Sequence, residues 1–379
     1  MHILLAPNSF KNSLDATEVA LALQEGLEQS GIGAAITLFP VADGGDGTAS
    51  LLMQYLHAIS VAVMVQGPTG KTLEAHYGWI DRSRTAIIEM ATASGLRLLN
   101  AGELDPLHAS SLGTGQLMAH ALDKGAETIL LCIGGSATVD GASGILQALG
   151  FRFIGKNDEH LTSMPHCLEE LNRIDIEKAH VGLRYCKIKI LCDVNNFLLG
   201  EQGAARVFGP QKGADETTVL RLEEALQHFR DISLQQTGKD MAAYRHGGAA
   251  GGTAAGLALW LNASLLNGTE EFLSITGFEA VLQQADLVIT GEGSIDEQTL
   301  QGKAPFGVAM RARQRKIPVI GVAGKVPLEI SSELSDCFRI LLPIGNEPAS
   351  IKDAMHNTRN NLIRTASNIG QLLSMAKNL

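Results

Sequence analysis

The sequence has few cysteines and no cysteine motif. Its five cysteines are odd in number and form no CxxC pair, so the pattern argues against both a disulfide framework and a cysteine-based zinc site. The chain begins without a basic segment and cleavage site, and it lacks an apolar run of about eighteen residues. We therefore expect a cytoplasmic protein that no membrane segment anchors.

The chain also lacks an excess of positive charge. Thirty Lys and Arg stand against 40 Asp and Glu, which gives a formal net charge of −10. A nucleic-acid or anionic-membrane surface needs a basic stripe, so neither partner is expected. The GxGxxG, GxxxxGK[ST] and GxSxG motifs are missing as well, which excludes the commonest nucleotide and nucleophile signatures.

Glycine, by contrast, is abundant, with 41 copies in 379 residues. A chain of this length exceeds what one hydrophobic core usually serves, so we expect two domains. Apolar strands alternate with Gly-rich loops and helical patterns, which predicts an α/β fold. Residues 60–90 instead alternate like short antiparallel strands, which predicts an insertion of a different type.

The most informative stretch is residues 128–144, where the apolar run TILLCI ends in the loop GGSATVDGASG. Glycines let backbone N–H groups approach an anion, and the following helix would point its positive end at the same place. An ordinary strand-to-helix turn would give the same pattern. Other loops repeat the combination, however. Carboxylates end apolar strands or lie in Gly-rich loops at Asp43, Asp46, Asp140, Asp193, Glu292 and Asp296, and the loop lysines are Lys11, Lys212 and Lys303. Phosphoryl transfer needs such parts.

These loops resemble the motifs of the bacterial glycerate kinases of type I. The matching segments run in order along the chain: APNSFKNSL (6–14), PVADGGDGT (40–48), GTG (113–115), IGGSATVDG (133–141), CDV (192–194), FGPQKGA (208–214), GAAGG (248–252), ITGEGSID (289–296) and GKAP (302–305).

The resemblance implies an enzyme that uses ATP and Mg²⁺ to phosphorylate D-glycerate on its 2-hydroxyl, giving 2-phosphoglycerate. Phosphorylation at the 3-hydroxyl and a non-catalytic two-domain sensor of small acids are the alternatives. A nicotinamide-dependent oxidoreductase would also explain the Gly loops, but the chain lacks the dinucleotide fingerprint. We expect a small-molecule substrate, and assembly into a homo-oligomer stays open.

The fold that the resemblance implies is a pair of different α/β domains with the active site in the cleft between them. One domain is Rossmann-like, with a mostly parallel sheet built from both chain ends, residues 1–62 and 280–379. The other is a mixed α/β domain, residues 63–279.

The family motifs also imply site residues in this sequence. We expect catalytic roles for Asp193 as first candidate base, Asp140 as second candidate base, and Lys11, and a substrate site at Asp43, Gly44 and Gly45. Glu292 and Asp296 are the expected Mg²⁺ ligands. The ATP site is expected at Gly134, Gly135, Ser136, Thr138, Lys212, Gly291, Gly293 and Lys303.

Three positions depart from the usual family pattern. Asn8 stands where Asp is usual, Val139 where Asn is common, and Ser294 where Arg is common. Asn8 has no basic carboxylate, so it leaves any base role to another residue. The loss of an arginine at position 294 requires either that this position lies away from the phosphates or that another cation compensates.

Overall fold

The computed structural model describes residues 1–297 and 299–377. Its strands are β1 (His2–Leu5), β2 (Ala35–Leu38), β3 (Ile59–Gln66), β4 (Thr72–Ile80), β5 (Thr85–Glu89), β6 (Thr128–Cys132), β7 (Arg152–Gly155), β8 (His160–Leu161), β9 (Leu171–Asp175), β10 (Lys187–Cys192), β11 (Ser264–Asn267), β12 (Leu287–Ser294), β13 (Val319–Lys325) and β14 (Ile340–Pro343).

The helices alternate with these strands over most of the chain. They are α1 (Ala16–Gln29), α2 (Thr48–Tyr55), α3 (Ala91–Ser94), α4 (Leu112–Asp123), α5 (Ser143–Ala148), α6 (Ala204–Phe208), α7 (Glu216–Thr237), α8 (Thr253–Trp260), α9 (Gly268–Ile275), α10 (Phe278–Leu282), α11 (Ala304–Gln314), α12 (Ser332–Cys337), α13 (Ile351–His356) and α14 (Thr358–Lys377). Among the described residues, no helix combines the length and apolar character that a membrane span needs.

The smaller unit combines both ends of the chain, residues 1–43 and 269–379. Its five-stranded sheet is parallel throughout, in the order β14-β13-β12-β1-β2. The connections run outward from β1 in one direction and from β12 in the other, so the strand order reverses between these two strands. In an open sheet of this kind, ligands bind beyond the carboxyl ends of the strands at that reversal.

Helices α1 and α14 pack together and cover the apolar strands of this sheet. Asp15 and Glu18 form a capping box that starts α1, and Val19, Leu23 and Leu27 follow at the i, i+4 spacing of one buried face. They share a core with Ile3 and Leu5 of β1 and with residues of α14. The burial of this face fixes β1, and thereby the loop that follows it.

The larger unit covers residues 44–268. Its six-stranded sheet has the order β11-β10-β6-β5-β4-β3. Strands β5, β6, β10 and β11 are parallel, whereas β3 and β4 are antiparallel additions. The predicted antiparallel insertion is therefore confirmed. A separate three-stranded sheet, β8-β7-β9, lies in a segment where the sequence pattern was uninformative.

The boundaries between the units differ from the expected ones at 62/63 and 279/280. Residues 44–62 belong to the larger unit, because α2 packs against β4 and β5 and β3 pairs with β4 along its whole length. Residues 269–279 belong to the smaller unit, where Phe278 packs edge-on against Phe39 with ring centroids 5.2 Å apart.

Candidate active site

Five predicted residues of the smaller unit are linked around Glu292, and we call them the Glu292 cluster: Lys11, Asp43, Glu292, Asp296 and Lys303. Lys11 lies in the loop that follows β1, and Glu292 lies near the carboxyl end of β12. The N–H of Asn8 donates to the carbonyl of Gly291 at 2.8 Å, which ties the two strand ends together. These ends flank the reversal of strand order, where ligand binding is expected.

Glu292 is a buried carboxyl within reach of charges of both signs. Its side chain is 7% exposed, the hydroxyl of Thr299 donates to its Oε1 at 3.1 Å, and Lys303 Nζ lies 3.8 Å from the same oxygen. Burial raises the pKa of Glu292 to about 7; Lys303 opposes this rise and Asp43 adds to it. A nearby cation stabilises the ionised form of a carboxyl that burial destabilises in this way.

Asp296 is connected to Glu292 through Thr299. The N–H of Asp296 donates to the Thr299 hydroxyl at 3.2 Å, and that hydroxyl donates to Glu292. Among the residues that the structure describes, no three His, Cys, Asp or Glu side chains form a metal-binding group. Mg²⁺ usually takes only one or two carboxylates, together with phosphate oxygens and waters. Glu292 and Asp296 fit that requirement, and their role as Mg²⁺ ligands stays a prediction.

Two departures from the family pattern have a structural explanation here. Asn8 donates from its amide Nδ2 to Asp43 Oδ2 at 3.0 Å in a buried position. An ionised Asp at position 8 has no hydrogen to donate to Asp43. The Ser294 hydroxyl donates to Asp296 Oδ2 at 3.1 Å. Position 294 therefore faces a carboxylate, and Lys303 supplies positive charge beside Glu292.

In the larger unit, the Gly-rich loop after β6 is held by Lys212. The ammonium donates to the Ser136 hydroxyl at 2.9 Å and to the Thr138 carbonyl at 2.7 Å, and Lys212 is only 3% exposed. Burial lowers its pKa to about 7, against the opposing charge of Asp140. Two of the three N–H bonds of this ammonium hold the loop, so Lys212 shapes the loop, and its binding of ATP phosphates stays a prediction.

Asp140 is fully buried and bonded on both carboxylate oxygens. It accepts from the N–H and hydroxyl of Ser111 at 2.9 and 2.6 Å, and from the N–H groups of Ala142 and Gly144 at 3.2 Å. Burial raises the pKa of Asp140, and these hydrogen bonds oppose the rise. The structure thus argues against a role as base, because the carboxylate joins the starts of α4 and α5 and has no exposed surface.

Asp193, the first candidate base, follows β10 directly and is partly exposed. Because β10 pairs with β6 in parallel, Asp193 lies at the same edge of the sheet as the loop that begins at Gly134. Gly134 itself touches a third loop, since a Cβ on it would lie 2.5 Å from the carbonyl carbon of Gly45. The fold of the larger unit therefore brings the loops with Gly45, Gly134 and Asp193 to one edge.

Sequence reasoning assigned no site role to Glu89, Asp46 or Arg97 of the larger unit. Glu89 closes the buried strand β5 and is 6% exposed, and Asp46 forms an ion pair with Arg97 at 2.9 Å. The signal was present, because an acidic residue that ends an apolar strand is the pattern that selected Asp193. Glu89 is not followed by a Gly-rich loop, which is why the same reasoning passed over it.

Comparison with known proteins agrees with these features. A model of the glycerate kinase family matches residues 3–374. A glycerate kinase of Halalkalibacterium halodurans is 42% identical over 375 residues, covering 99% of each chain. The glycerate 2-kinase of Escherichia coli K12 is 38% identical over 379 residues, covering 99% of this chain and 98% of its own.

A solved structure gives the same result in three dimensions. The crystal structure of a putative glycerate kinase 2 from Salmonella typhimurium LT2 superposes with a TM-score of 0.84 at 40% identity, and the match covers 100% of both chains. The sensor and oxidoreductase alternatives are thereby set aside. With its motifs, its parallel sheet and its relatives in agreement, the chain belongs to the glycerate kinase family and is a kinase.

Proposed function

We propose that this kinase transfers the γ-phosphoryl group of ATP to the 2-hydroxyl of D-glycerate and releases 2-phosphoglycerate and ADP. The observation that carries the proposal is the Glu292 cluster, in which two lysines and three carboxylates meet beyond the carboxyl ends of β1 and β12. The name of the E. coli relative, a glycerate 2-kinase, supports the choice of hydroxyl.

The residues of the smaller unit match the electrostatic demands of phosphoryl transfer. Charge spreads over three equatorial oxygens in the transition state, and Lys11 is proposed to stabilise it. Lys303 is proposed to bind phosphate. Glu292 and Asp296 would hold Mg²⁺, which neutralises phosphate charge when bound. Gly291 and Gly293 are proposed to let a nucleotide approach the strand end; a Cβ on Gly293 would meet no atom closer than 3.9 Å, whereas one on Gly291 would lie 2.1 Å from the carbonyl oxygen of Val322.

The larger unit is proposed to supply the general base that deprotonates the glycerate hydroxyl, together with a loop of N–H donors. Asp193 would accept the proton of the 2-hydroxyl as this oxygen attacks the γ-phosphorus in line. Gly134, Gly135, Ser136 and Thr138 would present N–H groups and hydroxyls to phosphate oxygens. Asp43, Gly44 and Gly45 are proposed to contact glycerate. The prediction that these groups meet in a cleft between the domains stays a prediction, as does a cytoplasmic location.

Coupled measurement of ADP release tests the proposal. We expect ADP release with D-glycerate, ATP and Mg²⁺, and only background release when D-glycerate is omitted or when EDTA removes the divalent ion. ADP release that does not depend on D-glycerate would contradict the proposed acceptor. Release that persists fully in EDTA would contradict the proposed role of Glu292 and Asp296.

A further inference from the structure

Glu89 is a buried carboxyl of the larger unit to which the proposed reaction gives no role. It ends β5, in the middle of the six-stranded sheet, and is 6% exposed. A carboxyl in such a place is costly unless several donors satisfy it. Its partners therefore indicate what it does.

The first partners of Glu89 are backbone N–H groups at the start of α2. Its Oε1 accepts from the N–H of Gly47, and the N–H of Ala49 also bonds to its carboxyl. Gly47 is the N-cap of α2 and has no side chain to cap the helix. Glu89, at the end of β5, thus caps α2 by accepting from N–H groups that the start of the helix leaves without a partner.

The second partner is Asp46, which links Glu89 to the surface. The two carboxyls lie within hydrogen-bonding reach of each other, and such a bond forms only when one of them carries a proton. Asp46 also pairs with Arg97 at 2.9 Å, where the guanidinium is 76% exposed. A continuous chain of contacts therefore runs from the start of α2 through Glu89 and Asp46 to Arg97.

These contacts fix the loop of residues 44–47, which carries two of the residues proposed to bind glycerate. The other side of this loop touches Gly134, where a Cβ would lie 2.6 Å from the N of Asp46. A shift of Asp46 would therefore also displace the loop after β6. We propose that Glu89 is a positioning residue of the kinase reaction, which holds loop 44–47 in its substrate-binding conformation through Gly47 and Asp46.

The shared proton makes this positioning dependent on pH. Burial raises the pKa of Glu89 to about 7, the N–H of Gly47 opposes the rise, and the charge of Asp46 adds to it. Burial together with the charge of Glu89 raises the pKa of the neighbouring Cys132 thiol well above its usual value, so this thiol does not titrate in the same range. Above neutral pH Glu89 is therefore ionised and the charge of Asp46 repels it, which weakens the hold on loop 44–47.

The E89Q variant separates this role from ordinary stabilisation. Its amide oxygen accepts from Gly47 and its NH₂ donates to Asp46, so Gln reproduces the protonated pair at every pH. In the natural enzyme we expect the KM for D-glycerate to rise about 2- to 12-fold between pH 6 and 8.5, which is the change in affinity that the loss of one hydrogen bond typically causes. In E89Q we expect a smaller rise of KM over this range, the remainder coming from Glu292 and Lys212, which also titrate near pH 7. E127Q, at an exposed carboxyl of the same unit, should keep the natural profile.

The test rests on the proposed function only for its kinetic part. Infrared difference spectra supply an independent signal, the C=O stretch of protonated carboxyls that titrate near pH 7, to which both Glu89 and Glu292 contribute. E89Q should lose the Glu89 part of this band and keep the Glu292 part. If E89Q keeps the full band and the natural pH profile of KM, the inference is wrong. If neither the natural enzyme nor its variants phosphorylate D-glycerate, but E89Q loses the Glu89 part of the band, the proposed function is wrong and the protonation of Glu89 is supported.

Discussion

At the scale of single residues, charge at strand ends was the signal that sequence reasoning followed. It pointed to Asp193, Lys11 and Glu292, because the carboxyl ends of parallel strands meet at one edge, and the family motifs then implied their roles. The same signal does not show which side chains turn inward. Lys212 and Asp140 stand in family motifs, yet both are buried, and their side chains are hydrogen-bonded to loops of the protein. Sequence does not distinguish a side chain that contacts a ligand from one that holds the loop beside it.

The role of Asp193 is the first prediction at this scale. We expect D193N to lower kcat by about 10²- to 10⁴-fold, the contribution typical of a general base, with little change in the free energy of unfolding. The control is D231N, at an exposed carboxylate on α7 of the same unit. A loss of less than about tenfold in steady-state kinetics would show that the acceptor hydroxyl does not depend on this base.

Lys212 gives a prediction about stability and pH. Its pKa falls from 10.5 to about 7 on folding, so the unfolded chain binds more protons than the folded chain between these values. Stability therefore rises with pH through this window, by at most about 3 kcal/mol between pH 7.5 and 9.5.

The K212M variant isolates this contribution. Denaturant unfolding at the two pH values should show a smaller rise in K212M than in the natural protein, since other groups titrate equally in both. Equal rises would mean that Lys212 keeps its charge and its usual pKa in the folded protein.

At the scale of elements, the sequence predicted strands and helices with strong periodicity and missed weak ones. The antiparallel strands of residues 60–90 were predicted from their alternation. The sheet β8-β7-β9 was not, because β8 has only two residues and too few positions to show a period of two.

The contact of α1 with α14 gives a prediction at this scale. A Cβ on Gly26 would lie 2.2 Å from the carbonyl oxygen of Ile363, so G26A forces the helices apart. We expect a loss of about 1–3 kcal/mol in the free energy of unfolding. G102A is the matched control, because a Cβ there would meet no atom within 4 Å. Equal denaturation midpoints for the two variants would contradict this packing.

At the scale of the whole molecule, the family resemblance carried information that local patterns lack. Local secondary-structure propensity does not predict that residues 1–43 and residues 269–379 form one unit, yet β1 pairs with β12 across that distance in sequence. The resemblance led us to expect a discontinuous domain. The larger unit begins before β3, at α2, rather than at the expected residue 63. The sequence pattern of α2 does not show which sheet this helix covers.

The product of the reaction tests the central claim most directly. The purified kinase, incubated with D-glycerate, ATP and Mg²⁺, should yield a phosphomonoester whose ³¹P resonance is a doublet, since the phosphorus on a 2-oxygen couples to one proton. A triplet, from coupling to the two protons of a CH₂ group, would move the phosphate to the 3-oxygen. The absence of any new phosphomonoester would contradict the account of this protein as a kinase of D-glycerate.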